Sequence, residues 1–387
     1  MFPFEVGGMQ KHTLYLAQHL AALGVGVDLY CALSELDGAA DQLTQQEQAR
    51  LVIHPVRRPT TPYFPGHYVR RSYLTSAALL DSFRQHGGAD FIYAQGFAGW
   101  ALVRARQGNS SGLPPVGVNL HGLEMYQAPP SLRGRAEQWM LRPPARYSLL
   151  NADVAFSLGG GLRRILERIG VSPERVVESP NGVQEGWVSS YAPRRQRPTS
   201  FTFIGRYERR KGVPELHEAV RSLEACHDLR LNVVGPIPEG QRLLSPRVTY
   251  HGLVREEERV KAILRESDVL VCPSYSEGMP TVILEAMASG LAVIATDVGA
   301  VDALVSADNG WLIPPGDVPS LRNAMIEAIT LDEEGMRRKK EQSRALVQAQ
   351  YTWEAVARRT VEGIERFLSS QPQSRRTVTT NPVRPHP

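Results

Sequence analysis

The chain has 387 residues, 42% hydrophobic and 22% charged, with 44 basic against 40 acidic side chains. That length exceeds one ordinary domain and suits two of roughly 150 to 200 residues with full cores. The formal net charge of +4 gives no electrostatic case for a nucleic-acid partner, and Cys31, Cys226 and Cys272, scattered and without Cys-x-x-Cys spacing, argue against a disulfide framework or a zinc site.

The chain opens with a glycine-bearing loop, Met1 to Gly8, that runs into an amphipathic helix predicted from about Met9 to Leu23. A strand over Val25 to Leu33 follows. Short β-branched segments then recur at Leu51 to Val56, Phe91 to Ala94, Val116 to Leu120, Val154 to Leu158 and Val176 to Glu178, with helical stretches near Ser72 to Gln85, Gly99 to Arg106, Leu132 to Leu150 and Leu162 to Ile169. Such alternation predicts a parallel sheet with helices on both faces. A polar, proline-bounded patch, Tyr191 to Ser200, reads as a linker.

The pattern restarts beyond it. Strands are expected at Phe201 to Ile204, Leu229 to Val234, Val248 to His251, Val269 to Cys272, Ala292 to Ala295 and Gly310 to Ile313, and helices near Val213 to Ala225, Glu256 to Glu266, Pro280 to Ser289 and Pro319 to Ile329. Two more helices, about Glu333 to Gln350 and Trp353 to Leu368, have no following strand to cover, so one is expected to cross back onto the first domain. The predicted division is 1–188, linker 189–200, 201–352, crossover helix 353–369 and a disordered tail 370–387 rich in Pro, Ser, Thr and Arg. Two doubly wound domains in tandem place a ligand cleft between the carboxyl ends of their sheets.

Charge is unevenly spread. From Arg50 to Arg146 there are twelve Arg against four acids (Asp81, Asp90, Glu124, Glu137), interleaved with Tyr63, Phe64, Tyr68, Tyr73 and Trp139. This stretch fits docking on an anionic membrane surface and equally a solvated basic face. No apolar run approaches the roughly 20 residues of a membrane span, and the first residues lack the regions of a signal peptide. A cytoplasmic protein, peripheral at most, is expected.

Candidate chemistry falls where strands end and helices begin. Phe203-Ile-Gly-Arg-Tyr-Glu-Arg-Arg-Lys-Gly212 places Arg206 and Lys211 at the cleft, a guanidinium fork beside a point charge, suited to neutralising a diphosphate. His251-Gly-Leu-Val254 offers Leu253 and Val254 backbone groups to a planar base. His121-Gly-Leu-Glu124 ends a strand of the first domain and presents an imidazole. Gly7 and Gly8 let backbone approach an anion at a helix N-terminus. In Ser274 to Gly290, Glu277 and Glu285 flank a Gly278-Met279-Pro280-Thr281 helix start; their spacing recurs at Glu258/Glu266, Glu333/Glu341 and Glu354/Glu362, so context rather than interval distinguishes them. Asp-x-Asp is absent, and with it any obvious metal clamp on a diphosphate.

In order, Phe-Ile-Gly-Arg-x4-Lys-Gly, His-Gly-Leu-Val, Pro-Ser-Tyr-Ser-Glu-Gly-Met-Pro-Thr-Val-Ile-Leu-Glu-Ala-Met-Ala-Ser-Gly, Ile-Ala-Thr-Asp-Val-Gly-Ala and Asn-Gly-Trp-Leu-Ile-Pro-Pro-Gly-Asp resemble a family 4 retaining glycosyltransferase of group 1. The resemblance spans about residues 5 to 368. It implies the α/β GT-B fold, two Rossmann-like domains facing across a donor and acceptor cleft. It implies a metal-independent hexosyltransferase with no cofactor, a nucleoside diphosphate sugar as donor and a polysaccharide or lipid-linked acceptor. By the same resemblance Arg206 and Lys211 hold the diphosphate, with Gly7, Gly8 and Thr281 adding backbone donors. Glu285 binds the ribose, and Glu277 with Gly278, Met279 and Pro280 reads the sugar. Leu253 and Val254 meet the base, and His121 lies beside the reacting sugar.

One departure stands out: in the family an apolar strand precedes the Gly-Gly loop, whereas this sequence begins at Met1-Phe-Pro-Phe. Absence of that strand would leave unpaired backbone on its neighbours, and a start upstream of Met1 is therefore expected. A transferase acting on a small soluble acceptor, or an inactive nucleotide-sugar-binding protein, would share the donor motifs.

Overall fold

The computed structural model describes residues 8–33, 51–64, 66–108, 112–129, 132–188 and 198–371. Gly7, the 189–197 part of the expected linker and the tail beyond 371 lie outside the described residues. The first domain comprises α1 (Gly8–Ala22), β1 (Val27–Leu33), β2 (Leu51–Arg57), α2 (His67–His86), β3 (Ile92–Gln95), α3 (Trp100–Gln107), β4 (Val116–Asn119), α4 (Leu132–Asn151), β5 (Val154–Ser157), α5 (Gly160–Ile169) and β6 (Val176–Glu178). The second comprises β7 (Thr199–Ile204), α6 (Val213–Leu223), β8 (Leu229–Val234), β9 (Val248–Gly252), α7 (Glu257–Arg265), β10 (Val269–Cys272), α8 (Thr281–Ala288), β11 (Ala292–Thr296), β12 (Gly310–Ile313), α9 (Val318–Thr330) and α10 (Glu333–Gln350). Last comes α11 (Trp353–Ser370).

The second domain is a six-stranded parallel sheet in the order β12-β11-β10-β7-β8-β9. The chain winds outward from β7 to β9, then returns to lay β10 on the other side of β7. The carboxyl ends of β7 and β10 therefore form the switch point at which a doubly wound sheet opens a crevice for ligand. The apolar runs of the central strands follow from burial on both faces. Val269 and Val271 of β10 and Ala292 and Ile294 of β11 join a core with Phe201 and Phe203. Their neighbours Leu270, Cys272, Val293 and Ala295 join a second core on the opposite face. That second core continues through Met279 and Leu284 into Leu158, Leu162 and Val118 of the first domain, so apolar packing joins the two domains.

The first domain departs from the single sheet expected. Its strands form a four-stranded parallel sheet β3-β4-β5-β6 and a separate parallel pair β1-β2. Among the described residues no strand bridges the two. β7 begins at Thr199, inside the expected linker, because Thr199 and Ser200 pair with Leu229 and Arg230. α2 begins at His67 rather than near Ser72, and α4 runs through Pro143 and Pro144.

α11 crosses back as expected. The Val183 and Trp353 backbones bond each other's stretch, Val183 N–H to the Tyr351 carbonyl at 2.8 Å and Trp353 N–H to the Val183 carbonyl at 3.2 Å. A Cβ on Gly182 would lie 2.7 Å from the Trp353 ring, and one on Gly363 would lie 2.3 Å from a Val177 methyl, so two glycines set how closely the helix seats. Trp353 packs with Leu16, Val356 and Ala357, which ties α11 to α1.

Candidate functional site at the interdomain cleft

The loops after β7 and β10 are locked together by backbone. Arg209 to Lys211 form one 3-10 turn that ends at Gly212, whose φ is 69°. A Cβ on Gly212 would fall 2.0 Å from the Pro273 carbonyl oxygen, so only glycine fits. The Tyr275 N–H donates to the Arg210 carbonyl at 2.7 Å. This lock brings the Lys211 ammonium 2.6 Å from Glu277 Oε1 and the Arg210 guanidinium 3.5 Å from Glu277 Oε2. Glu277 is 7% exposed, so its partners rather than water hold its charge.

Arg206 falls differently from its expected place beside Lys211. Its side chain is 71% exposed and pairs with Glu208 at 3.0 Å, and Glu208 in turn accepts from Arg210 Nε at 2.8 Å. The order Arg206, Glu208, Arg210, Glu277, Lys211 alternates cation and anion, which sets Arg206 at the outer end. Arg210 is the cation that the sequence reading passed over, although the Arg209-Arg210-Lys211 run was its signal. Beside this row, Glu215 accepts from Arg209 at 2.7 Å and from the Tyr275 hydroxyl at 2.7 Å, fixing the guanidinium over the Tyr275 ring.

Farther along the same edge, glycines again let backbone approach backbone. Gly205 donates to the Val234 carbonyl at 2.9 Å and Gly235 to the Gly252 carbonyl at 2.7 Å. A Cβ on Gly235 would lie 1.9 Å from the Gly205 carbonyl oxygen. Leu253, 61% exposed, and Val254 follow β9 at the end of this edge.

Pro280 is the extended N-cap of α8, with φ −65° and ψ 119°, rather than its first helical residue. No side chain caps that helix, so its first amides point out unpaired by side-chain oxygen. Thr281 opens it. Glu285 lies one turn in, half-buried, and among the described residues its carboxylate has no hydrogen bond or ion pair. Burial pushes the Glu285 carboxyl above its ordinary range, Lys11 of α1 pulls it back, and Glu257 pushes it up again. α1, which opens with Gly8, thus supplies charge to the second domain's site.

The first domain contributes the turn after β4. His121 and Leu123 both take left-handed backbone, φ 58° and 48°, which non-glycine residues adopt at a cost of about 1–3 kcal/mol. Asn119 Oδ1 holds the turn by accepting the His121 N–H at 2.8 Å. Gln95 Oε1 lies 3.0 Å from His121 Nε2 and 2.8 Å from Thr13 Oγ1, an arrangement that suits an imidazole protonated on Nε2 with Nδ1 as acceptor. Behind it, His12 Nδ1 bonds Asn181 Oδ1 at 2.8 Å, and Asn181 Nδ2 donates to the Met279 carbonyl at 2.6 Å. Asn119 also donates to the Tyr93 hydroxyl at 2.7 Å, which contacts His12 Nε2 at 3.4 Å. None of His12, Gln95 and Tyr93 was legible as part of the candidate site, since each sits in an apolar or mixed segment without a motif.

Two further contacts join the domains. A Cβ on Gly278 would lie 3.1 Å from the Gly122 Cα, so the two domains' backbones meet there. Asp302 accepts the Gly161 N–H at the start of α5 at 2.8 Å and pairs with Arg164 at 2.8 Å. Among the described residues no cluster of three or more His, Cys, Asp or Glu side chains gathers as a metal site, and no helix is long and apolar enough to cross a membrane.

Both histidines favour the neutral form. Burial pushes His12 down to about 4, with the Asn181 hydrogen bond pulling back. Burial and then the neighbouring His12 push His121 well below its ordinary value; the rings meet edge to face at 5.0 Å. A folded-state pKa below the unfolded value means that the unfolded chain binds the extra proton first as pH falls. Stability is therefore full above about pH 6.5 and declines toward pH 4, by up to about 3 kcal/mol for His12. Urea midpoints at pH 7.5 and pH 4.5 are expected to differ, and His12→Gln is expected to reduce that difference; an unchanged pH slope in the variant would remove His12 as its source.

Comparisons with known proteins place the whole chain in a family. Residues 6–186 match the model described as Glycosyltransferase Family 4, and residues 198–330 match Glycosyl transferases group 1. The chain is 30% identical over 390 residues to the phosphatidyl-myo-inositol mannosyltransferase of Mycobacterium leprae, covering 95% of this chain and 96% of that protein. It is 39% identical over 128 residues to the teichuronic acid biosynthesis glycosyltransferase TuaC of Bacillus subtilis, 33% of this chain and 31% of that one. Some curated relatives are thus matched over only 31 to 52% of their length. Among solved structures, sucrose-phosphate synthase from Thermosynechococcus elongatus superposes with a TM-score of 0.77 at 22% identity over 95% of this chain and 97% of the other, a likeness of fold. With 30% identity to one such enzyme over nearly its full length and both halves matched by family models, the chain belongs to the family 4, group 1 glycosyltransferases.

Proposed function

We propose that this protein moves a hexosyl unit from a nucleoside diphosphate sugar to a glycan or lipid-linked acceptor of polysaccharide or glycolipid assembly, with retention of anomeric configuration. The observation that carries the reading is the Lys211–Glu277 pair at the switch point, set against the uncapped start of α8. Departure of a nucleoside diphosphate builds negative charge on its β-phosphate. Lys211, Arg210 and the α8 amides stand ready to receive that charge without reorganisation. The unpartnered Glu285 carboxylate accepts from ribose hydroxyls, and Leu253 and Val254 present backbone to the base.

Glu277 is held by two cations, so it orients sugar hydroxyls rather than attacking the anomeric carbon. Attack then comes from the acceptor on the face that the diphosphate leaves, with a phosphate oxygen taking the acceptor's proton. His121, neutral and with Nδ1 free to accept, serves the sugar as a hydrogen-bond partner. The acceptor class draws support from the relatives named for phosphatidyl-myo-inositol and teichuronic acid. It also draws on Tyr63, Leu132 and Trp139, exposed at 88%, 83% and 72% on the Arg-rich first domain, which suit a peripheral position on an anionic inner leaflet.

The test is nucleoside diphosphate release from a panel of UDP-, GDP- and ADP-hexoses, with a polyprenyl-linked sugar, with free sugars and with neither. Release stimulated by the lipid-linked sugar is expected, and release from no donor in any combination would overturn the assignment. Stimulation by free sugars alone would move the acceptor to a soluble one. Glu285→Ala is expected to raise the donor KM about 10- to 100-fold, the loss of a hydrogen bond to a charged group.

A further inference from the structure

We propose that Gln127 is a cross-domain positioning residue, whose side-chain amide clamps the Glu277 peptide of the donor loop against the His121-Gly122 turn and thereby makes transfer, but not nucleotide binding, depend on domain closure. The inference rests on the donor site described above.

The Gln127 amide meets the Glu277 backbone as a neighbouring strand would. Its Nε2 donates to the Glu277 carbonyl at 2.6 Å, and its Oε1 accepts the Glu277 N–H at 3.3 Å. The second Nε2 hydrogen goes to the Gly122 carbonyl at 2.5 Å. Two carbonyls on one end and an N–H on the other leave a single amide orientation that satisfies all three contacts. Gln127 and Glu277 are 150 residues apart and lie in different domains, so separation of the domains breaks the clamp at once.

Glutamate 277 is also fixed from its own side. Gly299, with φ 61°, would place a Cβ 2.2 Å from the Glu277 carbonyl oxygen and 2.4 Å from that of Gly278. The peptide therefore has one permitted position, and Gln127 secures it to the first domain. Gln127 is itself held: its carbonyl accepts from Gln138 of α4 at 3.3 Å, Gln138 also donates to the Glu124 carbonyl at 2.8 Å, and Arg142 donates to the Met125 carbonyl at 2.8 Å. α4 thus anchors the turn that reaches across the cleft, and the Glu277 carboxylate and His121 imidazole are brought to one fixed separation. A misplacement of about 1 Å at such a site is enough to cost about 100-fold in rate.

Gln127→Met keeps length and shape without hydrogen bonds, and Gln127→Glu keeps the acceptor but turns a carboxylate toward two carbonyls. Each is expected to lower kcat by about 10- to 100-fold with the most active donor of the panel. Titration with UDP, GDP and ADP is expected to give dissociation constants within about twofold of wild type, which also certifies that the second domain is folded. Hydrogen exchange of the full chain is expected to speed up at the Glu277 amide in both variants, while α8 keeps its protection. Unchanged kcat, or a nucleotide affinity that falls in step with kcat, would overturn the proposal, as would unaltered exchange at Glu277. The exchange arm needs no turnover, so a wild-type protein inactive with every donor would sink the transferase reading while the clamp was still tested.

Discussion

Lys211→Ala is expected to lower kcat by about 10²- to 10³-fold, the usual loss when one preorganised group facing a developing charge is removed. The size follows from the surroundings. Lys211 is only 16% exposed in its side chain and is held at 2.6 Å by Glu277, so its charge is fixed before substrate arrives. Without it the Glu277 carboxylate keeps Arg210 at 3.5 Å as a cation partner, and Arg210 also serves Glu208. Arginine at 211 is not expected to rescue. Its fork is longer, and the turn that would carry it is closed by Gly212 against the Pro273 carbonyl, leaving no backbone adjustment to absorb the difference. Single-turnover kinetics with saturating donor reads the chemical step directly. Wild-type turnover in Lys211→Ala would remove Lys211 from the leaving-group site.

The cation row also shows why the site was only partly legible in sequence. Lys211 and Glu277 stand in loops after strands with glycine beside them, and Glu285 follows in the helix that the second loop feeds, so that local grammar is visible along the chain. The split of labour between Arg206 and Arg210 is not, because it depends on Glu208 lying between them in space. The first domain's share was hidden for a different reason. Gln95, Gln127 and His12 reach the candidate site through contacts 80 to 170 residues away in sequence, and nothing local marks a glutamine that will pair with a distant backbone. The alternation of strands and helices was readable because strands buried on both faces must be apolar throughout. The separation of β1-β2 from β3-β6 was not readable, since pairing partners are chosen in three dimensions.

The stability of the second domain offers the second large effect. Lys340 of α10 and Asp268, just before β10, form an ion pair at 2.9 Å with side chains 3% and 0% exposed. Asp268 is a junction. Its Oδ2 accepts the Ser200 N–H at 3.0 Å, its own N–H donates to the Ser200 carbonyl at 2.8 Å, and its carbonyl accepts the Ala292 N–H at 3.0 Å, so β7, β10 and β11 all start from it. Lys340→Met fills similar volume but takes the ammonium away from a buried carboxylate, at a cost of about 3–5 kcal/mol. Against a total of roughly 5–15 kcal/mol for a domain, that is a large fraction. Adding Asp268→Asn removes the charge and keeps the acceptor for Ser200, so the double variant is expected to recover much of the loss. Arg337 on the same helix pairs with Glu334 and Glu341 at the surface, and Arg337→Ala is expected to shift the urea midpoint little. Urea unfolding of the four proteins at constant m-value makes the comparison. If Lys340→Met unfolds at the same midpoint as Arg337→Ala, the pair contributes no more than a surface bridge, and the strand starts that aim the Lys211 and Glu277 loops are held by packing and the Asp268 hydrogen bonds without it.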